Sequence, residues 1–201
     1  EVVTVFLGKF LYFLLMVAGV GALYEGPADR IYLHILAILS VIGAFSNTYM
    51  FNPTRDKYYA MILMRMDAKS YTLTNYGYAL LKLIIGFLPF SLYFGLNRGL
   101  PLWLCLLIPF AVAGMKAVAA AITLRDYEKS GRATNENKLD KWAWLLIAAF
   151  LAAAYGLPAL RLSLPVPVSA GFFLLSLAAG LLSLRKILSF DSYTLMYKEL
   201  L

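Results

Sequence analysis

The chain reads as an all-α, polytopic membrane protein, and three observations predict that class. Hydrophobic residues occupy 62% of the 201 positions and charged residues only 14%, leaving too little polar surface to coat a soluble globule. The apolar residues gather into runs close to the roughly 20 residues a helix needs to cross a bilayer. The basic residues fall mostly in short gaps between those runs. The formal charge of +7 therefore points to membrane topology and lipid headgroups, and nucleic acid is not an expected partner.

Span one covers 2–24, apolar apart from Lys9; it is longer than a signal peptide and ends in ALYEG, without a small-residue cleavage site. After the turn EGPADR, span two covers 31–51 and carries the single histidine, His34, near its start. With no second histidine and no carboxylate at its depth, His34 reads as a hydrogen-bonded packing residue. Span three covers 75–96 and contains Lys82 and Pro89; the turn NRGLP joins it to span four, 101–124, which contains Pro109 and Lys116. Spans three and four are thus a helical hairpin. Residues 125–141 form the most polar stretch, a solvated loop with Gly131. Span five covers 142–160, the prolines of RLSLPVPVS block a continuous helix, and span six covers 168–184. The closing segment RKILSFDSYTLMYKELL has the mixed polarity of an interfacial helix. The chain opens at Glu1 without a methionine and stops in mid-pattern at Leu201, as expected of a trimmed chain or of one transmembrane domain, 1–201, within a longer protein.

Lysine and arginine alternate along the connections: one in 25–30, four in 52–74, one in 97–101, five in 125–141, one in 159–167 and three in 185–201. By the positive-inside rule the second, fourth and last of these are cytoplasmic, so six spans leave both ends of the segment in the cytoplasm. Small residues recur at helical spacing as Ala113, Ala117 and Ala121 in span four and as Ala148, Ala152 and Gly156 in span five, a pattern that permits close helix approach in lipid.

Templates of soluble catalysis are missing from the sequence: it has no glycine-rich phosphate loop, HExxH or serine elbow, and Cys105 is its only thiol. No catalytic, metal-binding or cofactor-binding residue is assigned. The intramembrane lysines are the chemically unusual groups. Counted from Arg98, Lys82 lies about sixteen residues down one arm of the hairpin and Lys116 about eighteen down the other, placing them at similar depth. Each is some seven to eight residues, about 10 to 12 Å, from the cytoplasmic end of its span. Two readings stay open: the lysines snorkel to lipid phosphate, or they line a water-filled path and meet an anion. Pro89 and Pro109 also match in depth, nearer the outer face, where paired kinks would open a cavity or act as a hinge.

The segment 52–74, NPTRDKYYAMILMRMDAKSYTLT, is the one compact basic and aromatic island. Asn52 suits an N-cap, Pro53 the first helical position and Asp56 the first turn, so a short helix is expected over 53–66. Its apolar middle and flanking Lys57, Arg65 and Lys69 suit a helix that lies in the headgroup layer or presses on a partner.

Two spans, this loop helix and a third span that starts through FNPTRDKYYAMILMRMDAKSYTLTNYGYALLK resemble the permease subunits of bacterial ATP-binding cassette exporters of the drug and peptide exporting class. In that family the loop between spans two and three holds a coupling helix seated in a groove of the ATPase. The resemblance implies that Tyr58, Tyr59, Met61, Ile62, Met64, Arg65 and Asp67 face an ATPase subunit, with Lys69 and Tyr71 at the start of span three. It also implies a second six-span permease unit, identical or different, ATP held by the partner rather than by this chain, and a bacterial cytoplasmic membrane. Walls this apolar offer few groups for recognising a polar solute, so the expected cargo is amphipathic or hydrophobic, a membrane-active peptide or a lipid-like molecule. Two features depart from the family: only RLSLPVPVS stands where re-entrant helices are usual, and the amphipathic helix usual before span one is missing or trimmed. The rival expectations are a membrane-embedded enzyme acting on lipids and a small-solute binding or assembly subunit.

Overall fold

A computed structural model of the chain describes residues 2–46, 50–133, 135 and 139–201. Positions 47–49 of span two, and 134 and 136–138 of the polar loop, lie outside the described residues. Among the described residues the secondary structure is helical throughout. In order these are α1 (Val2–Leu11), continued by π-turns over Tyr12–Gly19, α2 (Ala28–Ser46), α3 (Arg55–Tyr58), continued by π-turns over Tyr59–Leu63, α4 (Ala68–Asn97), α5 (Leu102–Ser130), α6 (Lys141–Ala159), α7 (Val166–Ser189) and α8 (Tyr193–Leu200). Helices α2, α4, α5, α6 and α7 are long and apolar enough to cross a membrane; the helix over Val3–Gly19 is apolar but shorter.

Sequence signals explain most of the boundaries. Asp67 caps α4 by accepting the Ser70 N–H at 2.8 Å, so that helix starts at Ala68, before the apolar run itself begins. Helix α5 likewise overruns its apolar stretch to Ser130 and stops at Gly131, whose φ of 65° is the left-handed cap a glycine supplies without a Cβ clash. Pro165 and Pro167 open α7, where a missing N–H costs nothing. The residues between α6 and α7, all described, form a turn and an extended stretch with no re-entrant helix.

Helices α2 and α5 form the centre, with 56% and 67% of their most apolar windows buried; the figure for α6 is 11%. The closest packing in the bundle is α5 against α7. A Cβ on Gly180 would fall 2.2 Å from the Gly114 Cα, and one on Gly114 would fall 2.6 Å from the Ser176 carbonyl oxygen, so the two backbones touch directly. Ala113, Ala117 and Ala121 are buried in the same region, whereas Ala148, Ala152 and Gly156 of α6 face outward.

At one end, polar side chains clasp backbone carbonyls. The Arg98 guanidinium donates to Ala18 at 2.9 Å, the Tyr24 hydroxyl to Tyr155 at 2.8 Å, and the Tyr155 hydroxyl to Met16 at 2.8 Å. His34, 1% exposed, donates from Nε2 to the Ala153 carbonyl at 3.0 Å and accepts the Leu164 N–H at Nδ1. The packing role expected of it is the one it fills. At the other end Lys69 pairs with Asp191 and Lys186 with Glu128. There α8 turns Tyr193, Met196 and Tyr197 into a second core with Met50, Phe51 and Leu124, so this expected interfacial helix docks one face on the protein.

Replacing Gly180 by valine forces α5 and α7 apart. The expected loss is at least about 2–3 kcal/mol, the upper range for an overpacked site, read as a lowered melting temperature of the detergent-solubilised chain.

Candidate functional site

Two places gather the candidate residues: the short helix between α2 and α4, and a cavity above it. The helix starts two residues later than the best sequence cap would put it. Thr54, not Asn52, is the N-cap; its hydroxyl accepts the Lys57 N–H, and Arg55 is the first helical residue. Asn52 is otherwise employed. Its Oδ1 accepts from the Lys57 ammonium at 2.7 Å, while the same ammonium donates to the carbonyls of Met50 at 2.9 Å and Asn52 at 3.0 Å. Lys57, expected in the headgroup layer, is therefore 3% exposed and lies 5.7 Å from the centre of the Tyr197 ring. The Tyr197 hydroxyl donates to the same Met50 carbonyl, tying α8 to this knot.

With Lys57, Ala60 and Met61 inward, the opposite face of the helix is apolar and exposed. Tyr58, Tyr59, Ile62 and Met64 all stand out, Met64 at 72% exposure, and the two tyrosine rings meet edge to face at 6.2 Å. Of the seven residues proposed to meet an ATPase, Met61 alone is buried. Arg65 is exposed and holds a left-handed φ of 53°, reversing the chain after the helix, while the Met66 N–H closes back on the Ala60 carbonyl at 2.9 Å. Asp67 is fully exposed; hydrogen bonds from Ser70 hold its carboxyl below the ordinary range. Lys69 and Tyr71 lie on α4 itself.

The cavity has a volume of about 850 Å³ and is enclosed by α1, α2, the 50–57 segment, α4 and α5. That size lies within the range of small-molecule pockets. Both intramembrane lysines line it. Lys82 stands fourteen residues inside the start of α4 and Lys116 fourteen before the end of α5, about 21 Å of helix in each case. The helices overrun the apolar stretches, so both lysines sit deeper from the helix ends than from the span ends. Among the described residues of the lining, Lys9 and Lys57 complete a set of four ammonium groups, and Asp56 is the one carboxylate. Lys9 lies 4.8 Å from the centre of the Phe87 ring and Lys82 5.9 Å from that of Tyr78, both within cation–π range.

The walls change character with depth. Leu39, Leu83, Phe87 and Val112 line the deeper part, whereas Asn52, Thr54, Tyr71, Thr72 and Asn75 line the part next to the short helix. Thr72 is 2% exposed, and its hydroxyl has no hydrogen-bond partner among the described residues. Pro89 and Pro109 take no part in the cavity: Pro89 is exposed and Pro109 is buried within α5 packing. Lys9 and Thr72 are cavity residues that the sequence did not single out. The lone charge inside span one was a signal for the first; the second, an ordinary threonine near the start of a helix, offered none. Among the described residues no three His, Cys, Asp or Glu side chains converge in a metal-binding group. Compared with known proteins, the chain matches no family model, no curated protein and no solved structure.

Two outcomes are expected. Lys57→Met leaves the Met50 and Asn52 carbonyls without their cationic donor, costing about 2–3 kcal/mol, the range for a hydrogen bond to a charged group, and speeding protease cleavage within 50–67. For Asp67 the folded carboxyl titrates below its unfolded value. Its capping contribution is present above about pH 4 and is lost as pH falls through the depressed folded value. The protection of the Ser70 amide against hydrogen exchange, taken relative to the unfolded rate at the same pH, accordingly falls on acidification below that range, and Asp67→Asn, which caps without titrating, removes this pH dependence of protection.

Proposed function

We propose that this chain is the transmembrane subunit of an ATP-driven exporter, a six-span unit whose helices form the translocation path and whose energy comes from a separate ATPase subunit. The carrying observation is the mounting of the 55–63 helix. Its outward face is a ridge of Tyr58, Tyr59, Ile62 and Met64, while its inward face is fixed by a buried ammonium to the 50–52 backbone and through Tyr197 to α8. A contact pressing on that ridge would load α4 and α8 together. That is the mechanical requirement of a coupling element.

On this reading α1 crosses the membrane as the sixth span. The three connections with a single basic residue share one end of the bundle, where Arg98, Arg30 and Arg161 reach Ala18, Ser163 and Glu25, and the polybasic segments meet at the other through the Lys69–Asp191 and Lys186–Glu128 pairs. The positive-inside rule assigns the polybasic end to the cytoplasm of a bacterial cell, with both ends of the segment there. The outward stripe of Ala148, Ala152 and Gly156 on the sparsely packed α6 supports pairing with a second six-span unit.

Purification of the full chain with its native partners is expected to recover an ATPase. The paired change Tyr58→Asp and Tyr59→Asp, and separately Arg65→Glu, should reduce that recovery at least about tenfold, as loss of interface anchors does, with the melting temperature of the chain little changed. Association and export that survive both sets of changes would sink the coupling assignment.

A further inference from the structure

We propose that His34 is an acid-released latch on the connection between α6 and α7: the neutral ring holds residues 160–164 against α2, and a second ring proton lets them go. The latch is independent of the exporter reading and involves neither the lysine-lined cavity nor the short helix.

The two partners of the ring fix its protonation state. The Ala153 carbonyl can only accept, so Nε2, 3.0 Å away, carries the proton; the Leu164 N–H can only donate, so Nδ1, 3.4 Å away, is bare. One neutral tautomer of imidazole meets both demands. A proton added at Nδ1 points at the Leu164 N–H, donor against donor, and the hydrogen bond becomes a repulsion. The Nε2 bond to Ala153 survives this change and gains from the charge. Acid thus frees the connection while α6 stays attached, a selectivity that general unfolding would not show.

The surroundings act in the same direction. Arg30 stands one turn before His34 on α2 and donates to the Ser163 carbonyl at 3.3 Å, so two side chains of one helix grip consecutive residues of the connection. An imidazolium at position 34 would form an unfavourable like-charge pair with that guanidinium at i, i+4 spacing. Among the described residues no carboxylate bonds to the ring: Asp29 accepts the Arg30 amide N–H, and Glu25 pairs with Arg161. The elements packed on α2 bring Tyr155 from α6, Tyr12 from the π-turns after α1 and Cys105 from α5, with Tyr24 in the turn before α2, while α7 carries no charged residue before Arg185. Arg98, after α4, is engaged by the Ala18 carbonyl. Of these side-chain types only imidazole ordinarily changes charge between about pH 5 and 8. A cavity of about 270 Å³, lined by Glu25, Ile31, Pro158, Arg161 and Ser163, lies beside the connection and leaves it room to shift.

The test uses the full chain in lipid nanodiscs, and the single histidine of the sequence makes it specific. Nitrogen-15 signals of the labelled ring are expected to show the neutral form protonated at Nε2 at about pH 7.5 and the doubly protonated form at about pH 5. Protection of the Leu164 amide against hydrogen exchange, taken relative to the unfolded rate at the same pH, should fall at least about fivefold over that interval, the effect of one hydrogen bond of ordinary net strength. Amides in the middle of α6 should keep theirs. His34→Gln, which offers a donor and an acceptor without titrating, should remove the pH dependence, and Glu25→Gln should leave it in place. A ring protonated at Nδ1 at the higher pH, a ring still neutral at the lower, or a ring that gains its proton with Leu164 still protected overturns the proposal. So does a pH dependence that survives His34→Gln or vanishes in Glu25→Gln. Should His34→Gln not fold, the ring signals and the Leu164 protection of the unaltered chain decide by themselves.

Discussion

The contact of α5 with α7 at Gly114 and Gly180 is the constraint on which the rest of the bundle depends. Two backbones that touch fix both the separation and the rotation of their helices, since neither partner has a side chain to adjust. In lipid, where apolar burial supplies no drive for helices to associate, such contact is a main source of cohesion. Rotation matters most for the chemistry. At about 100° per residue, Lys116 stands some 200° around α5 from Gly114, on the side away from α7. Seating Gly114 on α7 therefore turns Lys116 toward α4 and the cavity. The four-helix enclosure holds a charge at that depth because a fifth helix is pressed against the opposite face.

The loop between α2 and α4 solves a different problem, that of fixing a short helix with too few turns to be stable alone. The Lys57 ammonium draws three oxygens from Met50 and Asn52 around itself, and Tyr197 of α8 adds a donor to one of them. This knot satisfies backbone groups that would otherwise be buried unpaired, and it lies next to the cavity floor. The same lysine thus belongs structurally to the loop and electrostatically to the cavity.

Much of this was legible in the sequence, and the remainder has identifiable causes. The apolar runs marked α2, α4, α5, α6 and α7, and counting from Arg98 placed Lys82 and Lys116 opposite one another, because helix rise is uniform and the turn at 98–101 is tight. Helix ends were less legible: Asp67 and Gly131 extend α4 and α5 beyond the apolar stretches, and hydropathy does not register a polar helix continuing into water. The cap was misassigned for a tertiary reason. Asn52 and Thr54 are both good caps, and the choice between them was made by Lys57, whose own burial depends on carbonyls and an aromatic ring brought in by α8, 140 residues along the chain. The stripe of Ala148, Ala152 and Gly156 was visible, yet periodicity gives a face without saying what covers it.

Helix α6 has a mechanical property that follows from where its bonds lie. The groups that hold it, His34 to Ala153, Tyr24 and Tyr155, and the Leu164 amide, all engage its last turns or the connection beyond, while residues 144–146 and 148–152 face outward. It is a cantilever, clamped at the Ala153 end and projecting about 18 Å to Lys141. A small rotation at the clamp becomes a large sweep at the tip, so the hydrogen bonds of one histidine and two tyrosines set the stiffness of the least buried of the long apolar helices.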